Sequence, residues 1–290
     1  MQLCRRHSGR VGFNGIPLLA WVSAYRVRIP EVWSSYRKLC LPVLALILTA
    51  SAEAIAQDPN ASLLHVFPVV VDGALADGTR YRTSITLQNG SNFTSSCWIG
   101  FQGSAPPMIA PDGSLATGGL IQQHLQPGTY DLFRSTGVGS FTSGYAWISC
   151  SAPITAYAVY SSYVRGPGGN PILTSETTVT SSAAALSMQF INDGREDGRL
   201  ALSIANDEFF PALVRIQVFD VIGRFIAQTQ IVVPAKSTIA KFLNELVSGI
   251  PARHMGPVRI DSSQFIYATG LRFTGPVLTS IPPTLFGVIR

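Results

Sequence analysis

The sequence GYAWISCSAPITAYAVY, residues 144–160, has a second copy in the same chain. Residues 256–272 read GPVRIDSSQFIYATGLR, which again gives a strand that begins with glycine, a turn that contains serine, and a second strand. A further block, HVFPVVVDG at 65–73, aligns with LSMQFINDG at 186–194. We therefore interpret the chain as an internal repeat whose units of roughly 100 residues are each long enough to bury a core.

The residues from Gln57 onward have the composition of a β-protein. Short runs rich in Val, Ile, Thr, Ser, Tyr and Phe are separated by clusters of Gly, Pro, Asn and Asp, and helical periodicity is limited to KFLNEL at 241–246. This pattern predicts an all-β fold of two tandem antiparallel β-sandwich domains of immunoglobulin-like type. We expect the domains at 57–165 and 185–290, with a linker at 166–184 whose SETTVTS segment can add an edge strand.

The first 56 residues contain a pattern typical of a secretory signal peptide. Arg37 and Lys38 precede the apolar run LCLPVLALILTASA at 39–52, and small residues follow up to Ala56. Basic, apolar and small-residue regions in this order predict export, with cleavage near Ala56. The interval 1–56 is thus interpreted as an N-terminal extension and signal peptide, and the expected location is the periplasm, the cell surface or the extracellular space.

Two other interpretations of the apolar run are less well supported. Its 14 residues fall short of the roughly 20 that a membrane-spanning helix needs, so an uncleaved anchor is the weaker alternative. Cys40 comes too early in the run, without small residues before it, for lipid attachment at a lipoprotein cleavage site. We expect no integral membrane segment in the mature chain.

The net charge of +5 resides in the leader. That segment holds seven of the 21 Lys and Arg residues and two of the 16 Asp and Glu residues, so the remainder carries 14 of each. A mature chain without net charge lacks the basic footprint of a protein that binds nucleic acid or an anionic membrane. We therefore expect neither nucleic acid nor an anionic membrane surface among its partners.

The order of these segments resembles a known class of exported protein. The tandem β-sandwich modules of uncharacterised secreted bacterial proteins, particularly common in acidobacteria, are similar in segment order over essentially all of the mature chain. The resemblance implies export and a repeated sandwich, and it brings no catalytic residues. The segments that carry it are FPVVVDG, YRTSITLQN, an LQPG turn, GYAWISCSAPITAYAVY, AKFLNEL and LTSIPP.

The second copy predicts which side chains of the first copy face the core. In VRIQVFD, the apolar residues alternate with Arg and Gln, and in PVRIDSS, Val, Ile and Ser alternate with Arg and Asp. Alternation of this kind places the first set of each segment inside. Mapped onto the first copy, the inward positions include Cys97 and Cys150. An exported chain with two inward cysteines in one domain favours a disulfide, worth about 4 kcal/mol for this separation in the chain-entropy model. Two separate buried thiols are the alternative.

The same mapping places two tryptophans on an outer face. Trp98 takes the position of Arg215, and Trp147 takes that of Arg259. Aromatic rings on an outer sheet face can stack on sugar rings or on an apolar partner, and Tyr145 could join them in a ligand-binding platform. The alternative is that both tryptophans cover the interface between the repeats or lie under the insertion at 103–119.

No motif for catalysis or metal binding is evident. The chain lacks a nucleophile elbow, a phosphate-binding glycine loop and zinc-ligand spacing, and its histidines at 65, 124 and 254 are far apart. Five acidic residues flank one strand and could coordinate Ca²⁺ from neighbouring loops: Asp193, Glu196, Asp197, Asp207 and Glu208. Their spacing does not match an EF-hand, and we interpret them as solvated turn residues. We expect no cofactor and no metal.

These observations predict a non-catalytic exported protein rather than an enzyme. The leading hypothesis is a binding, adhesion or structural module of the cell envelope or extracellular space, with a polysaccharide or an envelope protein as partner. The alternative is a carbohydrate-binding protein that uses Trp98, Trp147 and Tyr145. A secreted hydrolase with an unrecognised site is the third possibility, because a fold does not exclude a function.

Overall fold

Alternation of apolar and polar residues shapes the strands, as the sequence predicts. In the strand Ala212–Phe219, Val214, Ile216 and Val218 have no exposed surface, whereas Arg215 is exposed. Successive side chains of a strand point to opposite faces, so one face is buried and the other meets solvent.

The structure is a computed structural model, and it describes residues 60–116 and 119–289. The predicted signal peptide, including Cys40 and the cleavage position near Ala56, lies outside the described residues. The described elements belong to one unit, Gln57–Arg290.

Strands account for most of the described chain, and one short α-helix, α1 at Leu243–Leu246, lies in the segment where the sequence predicts a helical turn. The first nine strands are β1 Ser62–Ala74, β2 Arg80–Gln88, β3 Ser95–Gly103, β4 Met108–Ile109, β5 Leu115–Ala116, β6 Leu120–Leu125, β7 Tyr130–Ser135, β8 Thr142–Arg165 and β9 Pro171–Thr180. The remaining strands are β10 Ala185–Asp193, β11 Arg199–Asn206, β12 Ala212–Phe219, β13 Phe225–Val233, β14 Ser237–Phe242, β15 Met255–Thr274, β16 Val277–Ile281 and β17 Thr284–Ile289.

Two antiparallel networks of strands make up the fold, β1–β9 and β10–β17. In the first network, the long strand β8 pairs with β1 and β3 along its first part and with β2 and β9 along its second. In the second, β15 pairs in the same way with β10 and β12, and then with β11 and β16. The all-β antiparallel fold is therefore confirmed, and its layers are arranged like those of a sandwich.

Each network has its own buried core. Phe67, Ile99 and Phe133 are among the fully or almost fully buried residues of the first, and Phe190 and Ile216 are among those of the second. Burial of side chains of this size contributes roughly 1.5–3 kcal/mol each relative to exposure. The network cores thus provide the main stabilisation of the strands.

The two networks are also joined to each other. A separate buried cluster includes Val66 and Tyr145 from the first and Tyr267 from the second. The hydroxyls of Ser203 and Thr238 both donate to the carbonyl of Pro68, at 2.8 and 2.7 Å. The junction therefore combines apolar packing with satisfied polar groups.

The interval predicted as a linker contains a strand. Pro171–Thr180 forms β9, which pairs with β8, and the Ser175 hydroxyl accepts the backbone N–H of Leu278 at 2.9 Å. The SETTVTS segment thus lies within an ordered edge strand and the residue that follows it. The division into immunoglobulin-like domains at 57–165 and 185–290 stays a prediction.

The predicted disulfide between Cys97 and Cys150 is confirmed. The two residues lie directly opposite each other on β3 and β8, with Cα atoms 4.1 Å apart, and both are buried. The bond joins neighbouring strands of one layer, whereas the immunoglobulin disulfide joins two sheets. It also closes a loop of 53 residues.

Candidate binding face around Trp98

Trp98 lies on the outer face of the layer formed by β1, β8, β3 and β6. The strand register places Leu64, Ser149, Trp98 and Gln122 side by side across these four strands. Leu120 lies two residues from Gln122 and therefore on the same face. Leu64, Trp98 and Leu120 are 45%, 42% and 57% exposed. We refer to Leu64, Trp98, Leu120 and Gln122 as the Trp98 face.

Trp147 borders this face and is held in place by Gly100. The two residues lie opposite each other on β8 and β3, and a Cβ atom at position 100 would collide with the indole ring. Trp147 is half-buried and packs on the junction cluster that contains Val66. Trp147 thus covers the junction, whereas Trp98 remains exposed. A glycine inside a strand pattern, such as Gly100, is the sequence signal that could have indicated this close approach.

Hydrogen-bonding groups surround Trp98 on the same face. Ser96 Oγ lies 3.0 Å from His124 Nδ1, and the Ser96 backbone N–H donates to Ser151 Oγ at 2.9 Å. Ser149, opposite Trp98, is exposed. An aromatic plane bordered by hydroxyl and imidazole groups offers both apolar contact and hydrogen bonds to a ligand.

The second network carries a cluster of charged residues at the position that corresponds to Trp98. Asp261 accepts Arg259 Nε at 3.1 Å, Arg215 Nη2 at 3.4 Å and the Ser187 hydroxyl at 2.8 Å. Burial raises the pKa of Asp261, but these hydrogen bonds favour the carboxylate and the net effect is a lowered pKa. The carboxylate therefore stays ionised between two arginines.

Trp98 and Arg215 take corresponding places in the two networks. Trp98 lies opposite Ser149 on β8, and Arg215 lies opposite Asp261 on β15. One network therefore presents an aromatic ring where the other presents an ion pair. The carboxylate of the ion pair is satisfied within the chain, whereas an exposed indole ring beside other apolar side chains is available for contact with a partner.

Tyr145 is placed differently from the two tryptophans. It has no exposed surface, and its hydroxyl donates to Asp207 Oδ1 at 2.7 Å. Lys236 Nζ lies 3.0 Å from the same oxygen. Burial and the hydrogen bond to Asp207 raise the pKa of Tyr145 far above its ordinary value. Tyr145 therefore links the networks and presents no ring face to solvent.

The disulfide lies directly behind the Trp98 face. Cys97 precedes Trp98 on β3, and Cys150 follows Ser149 on β8, so the bond joins the two strands on the core side of this face. A covalent link between the strands that carry the binding groups limits their relative movement. Less conformational freedom is then lost when a partner binds.

The five acidic residues are not brought together. Asp193, Glu196 and Asp197 precede β11, and Asp207 and Glu208 follow it. A strand of eight residues separates the two groups by about 26 Å. Within residues 60–116 and 119–289, no three His, Cys, Asp or Glu side chains are grouped as metal ligands.

The three histidines among the described residues occupy separate environments. His65 Nε2 lies 2.9 Å from the carbonyl oxygen of Ile154, and His254 Nε2 lies 2.8 Å from that of Phe219. A carbonyl oxygen only accepts, so both rings carry the proton on Nε2. His124 lies beside the Trp98 face. The histidines thus do not converge on one site.

Comparison with known proteins gives no match, either to a protein-family model or to a curated protein. In the part of the chain that the structure describes, no helix has the length and the apolar character needed to span a membrane.

Proposed function

We propose that this chain is a non-catalytic, exported β-sandwich protein that acts as a binding, adhesion or structural module of the cell envelope or extracellular space. The observation that carries the proposal is the Trp98 face. Its exposed apolar groups surround a tryptophan whose counterpart in the second network is Arg215, which forms an ion pair with Asp261. Trp98 provides the central contact.

The construction of this face favours binding. Trp147 is held over Gly100, and the disulfide ties the two strands that carry Trp98 and Ser149. Exposed aromatic groups on a rigid sheet bury a large apolar area at a small cost in side-chain entropy. A partner with a flat apolar or mixed surface fits such a platform.

Export is supported by two independent features. The leader has the order of regions that signal peptides share, and the described chain contains a disulfide, which persists mainly in oxidising compartments. Cell fractionation with mass spectrometry of the N-terminus is the test. A mature form that begins near Gln57 outside the cytoplasm is expected, and an intact cytoplasmic chain with reduced cysteines would refute export.

A duplicated two-domain architecture belongs to the same proposal. Directly after β2, Asn89 Nδ2 donates to the carbonyl of Phe93 at 2.7 Å, and at the end of β11, Asn206 Nδ2 donates to that of Phe210 at 2.8 Å. The equal spacing and the shared strand connectivity support two copies of one immunoglobulin-like unit.

Co-sedimentation tests the binding function. Folded protein from Gln57 to Arg290 is mixed with the envelope fraction of the producing cells and centrifuged. The wild type and an Arg215→Ala variant are expected in the pellet, and a Trp98→Ala variant in the supernatant. Equal sedimentation of all three proteins would remove the Trp98 face from the proposal.

Carbohydrate binding is the second candidate. It is favoured by the polar groups beside Trp98, because sugar rings combine an apolar face with hydroxyls that pair with Ser149, Gln122 and His124. Affinity electrophoresis through gels that contain soluble polysaccharides is the test. Retardation that is lost in Trp98→Ala and reduced in Gln122→Ala supports this candidate, whereas free migration in every polysaccharide argues for a protein partner.

A further inference from the structure

A cleft of about 430 Å³ opens at one end of the second network, away from the Trp98 face. Its walls are the turn before β11 and the loop before β15. The polar lining includes Asn192, Arg199, Asn244 and Arg253, and an apolar floor includes Leu243. A cavity of this size with a few polar groups over an apolar floor has the character of a small-ligand site.

Arg199, which lines this cleft, also stacks on an aromatic ring. Its guanidinium carbon lies 3.7 Å from the centre of the Phe242 ring, which in turn packs edge-on against Phe273. Stacking fixes the plane of the guanidinium and leaves its N–H edge available for in-plane acceptors. Within the described residues, no carboxylate forms an ion pair with Arg199.

Arg82, the corresponding arginine of the first network, already donates a hydrogen bond within the chain. Arg82 lies opposite Ser161 on β8, just as Arg199 lies opposite Phe273 on β15. Arg82 Nη2 donates to the carbonyl of Thr136 at 3.3 Å, so an oxygen of the chain itself meets that guanidinium. In the second network the equivalent residue, Arg199, lines the cleft.

The guanidinium of Arg253, the second in the cleft, uses only part of its hydrogen-bonding capacity within the chain. Arg253 Nε binds Asp197 at 2.9 Å, which leaves the terminal nitrogens of Arg253 for another acceptor. Asp193, close to the cleft, is itself paired with Arg195 at 2.8 Å. The lining thus carries two cations, Arg199 and Arg253, and one anion, Asp197.

The backbone around the cleft is set by unusual conformations. Asp197 and Arg253 have φ angles of 57° and 59°, in the left-handed region that non-glycine residues seldom adopt. Behind them, Asn192 donates to the His254 carbonyl at 2.9 Å, and both residues are buried. Strained residues that are supported in this way concentrate at ligand sites.

We propose that this cleft binds a small ligand that carries a carboxylate. Arg199 receives the carboxylate through two parallel N–H···O bonds, as its fixed plane allows. Arg253 and Asn244 meet other oxygens of the ligand, and the apolar floor contacts its carbon skeleton. This site is independent of the Trp98 face and of the function proposed for it.

Titration calorimetry with matched pairs of compounds is the test, on the folded chain from Gln57 to Arg290. Glucuronate is compared with glucose, and N-acetyl-alanyl-alanine with its C-terminal amide, so that a sugar acid and a peptide terminus are distinguished. At least one carboxylate is expected to bind more tightly than its neutral partner. Its affinity is expected to fall with added salt, because the cleft is cationic.

Variants locate the binding. Arg199→Gln is expected to weaken binding of the carboxylate by about 10- to 100-fold, the effect of losing hydrogen bonds between charged groups. Arg215→Gln, an exposed arginine outside the cleft, is the control and leaves affinity unchanged. Asn244→Ala, at an exposed position where folding is not at risk, is expected to weaken binding to a smaller extent. Equal affinity for charged and neutral compounds, or full affinity in Arg199→Gln, would overturn the proposal.

Discussion

The indole ring of Trp147 occupies the space that a side chain at Gly100 would need. The two residues face each other across β8 and β3, two residues along the strands from the row that contains Trp98. Trp147 can therefore adopt this position only because residue 100 has no side chain. The two residues together form one border of the Trp98 face.

Substitution of Gly100 tests this relationship. Gly100→Ala is expected to lower the free energy of unfolding by about 1–3 kcal/mol, because the added methyl group displaces the ring. Gly90→Ala, where no atom lies near the added carbon, is the control and should change stability little. Urea unfolding measures both. A Gly100→Ala protein as stable as the control would contradict the packing described.

The disulfide can be replaced by the residue pair that the second network has at the corresponding place. Val214 and Ser262 lie opposite each other where the first network has Cys97 and Cys150. The double variant Cys97→Val, Cys150→Ser therefore introduces the residue pair that the second network has at this place. It removes only the covalent cross-link. We expect a loss of about 2–4 kcal/mol in unfolding free energy.

The control for this variant is the wild type under reducing conditions. Both proteins should show similar unfolding midpoints, below that of the oxidised wild type. Unchanged stability after removal of the bond would show that the cross-link does not restrict the unfolded chain as expected.

His65 should make stability depend on pH in a defined direction. Burial lowers the pKa of His65 below its ordinary value of 6.5, although hydrogen bonds with Ile154 and Ser62 partly oppose the shift. As pH falls, His65 is therefore protonated near pH 6.5 in the unfolded chain, whereas in the folded protein it stays neutral to a lower pH. The contribution of neutral His65 is complete above this pH and is lost as pH falls from about 6.5 toward the lowered pKa.

Urea unfolding between about pH 7.5 and pH 5.5 measures this loss, which cannot exceed about 1.4 kcal/mol per pH unit for one proton. In His65→Gln, whose amide can still donate to the Ile154 carbonyl, the slope in this range is expected to flatten. The same slope in the variant and in the wild type would assign the effect to another group.

The hydrogen bond from Tyr145 to Asp207 should stabilise the junction of the networks. Tyr145→Phe removes the donor of a 2.7 Å bond and is expected to lower the free energy of unfolding by about 1.5–3 kcal/mol, since the acceptor is charged. Tyr130→Phe, at a largely exposed position, is the control. Thermal unfolding compares them, and equal transition temperatures would argue against a structural role for this bond.

Much of the strand architecture follows from local pattern. Alternation in VRIQVFD predicts that Val214 and Ile216 are buried, and transfer of that pattern to the first copy predicts the inward cysteines and their bond. These predictions succeed because period two is a property of the backbone, which a single strand shows without its neighbours.

Features that depend on how strands from distant parts of the chain meet could not be predicted. Alternation alone places Tyr145 on the same side as Trp147, yet the junction covers it and supplies Asp207 as an acceptor. The stacking of Arg199 on Phe242 likewise depends on a contact between β11 and the end of β14. Neither contact has a signal in the local sequence, because both partners are ordinary residues for a strand.

Oxidative footprinting of the bound protein tests the role of the Trp98 face most directly. Hydroxyl radicals are applied to the protein free and bound to the envelope fraction, and oxidation of single side chains is read by mass spectrometry. Trp98 and Leu120 should be protected on binding, while Phe225, which is 55% exposed on the second network, should react equally in both states. Oxidation of Trp98 at the same rate in free and bound protein would contradict the account.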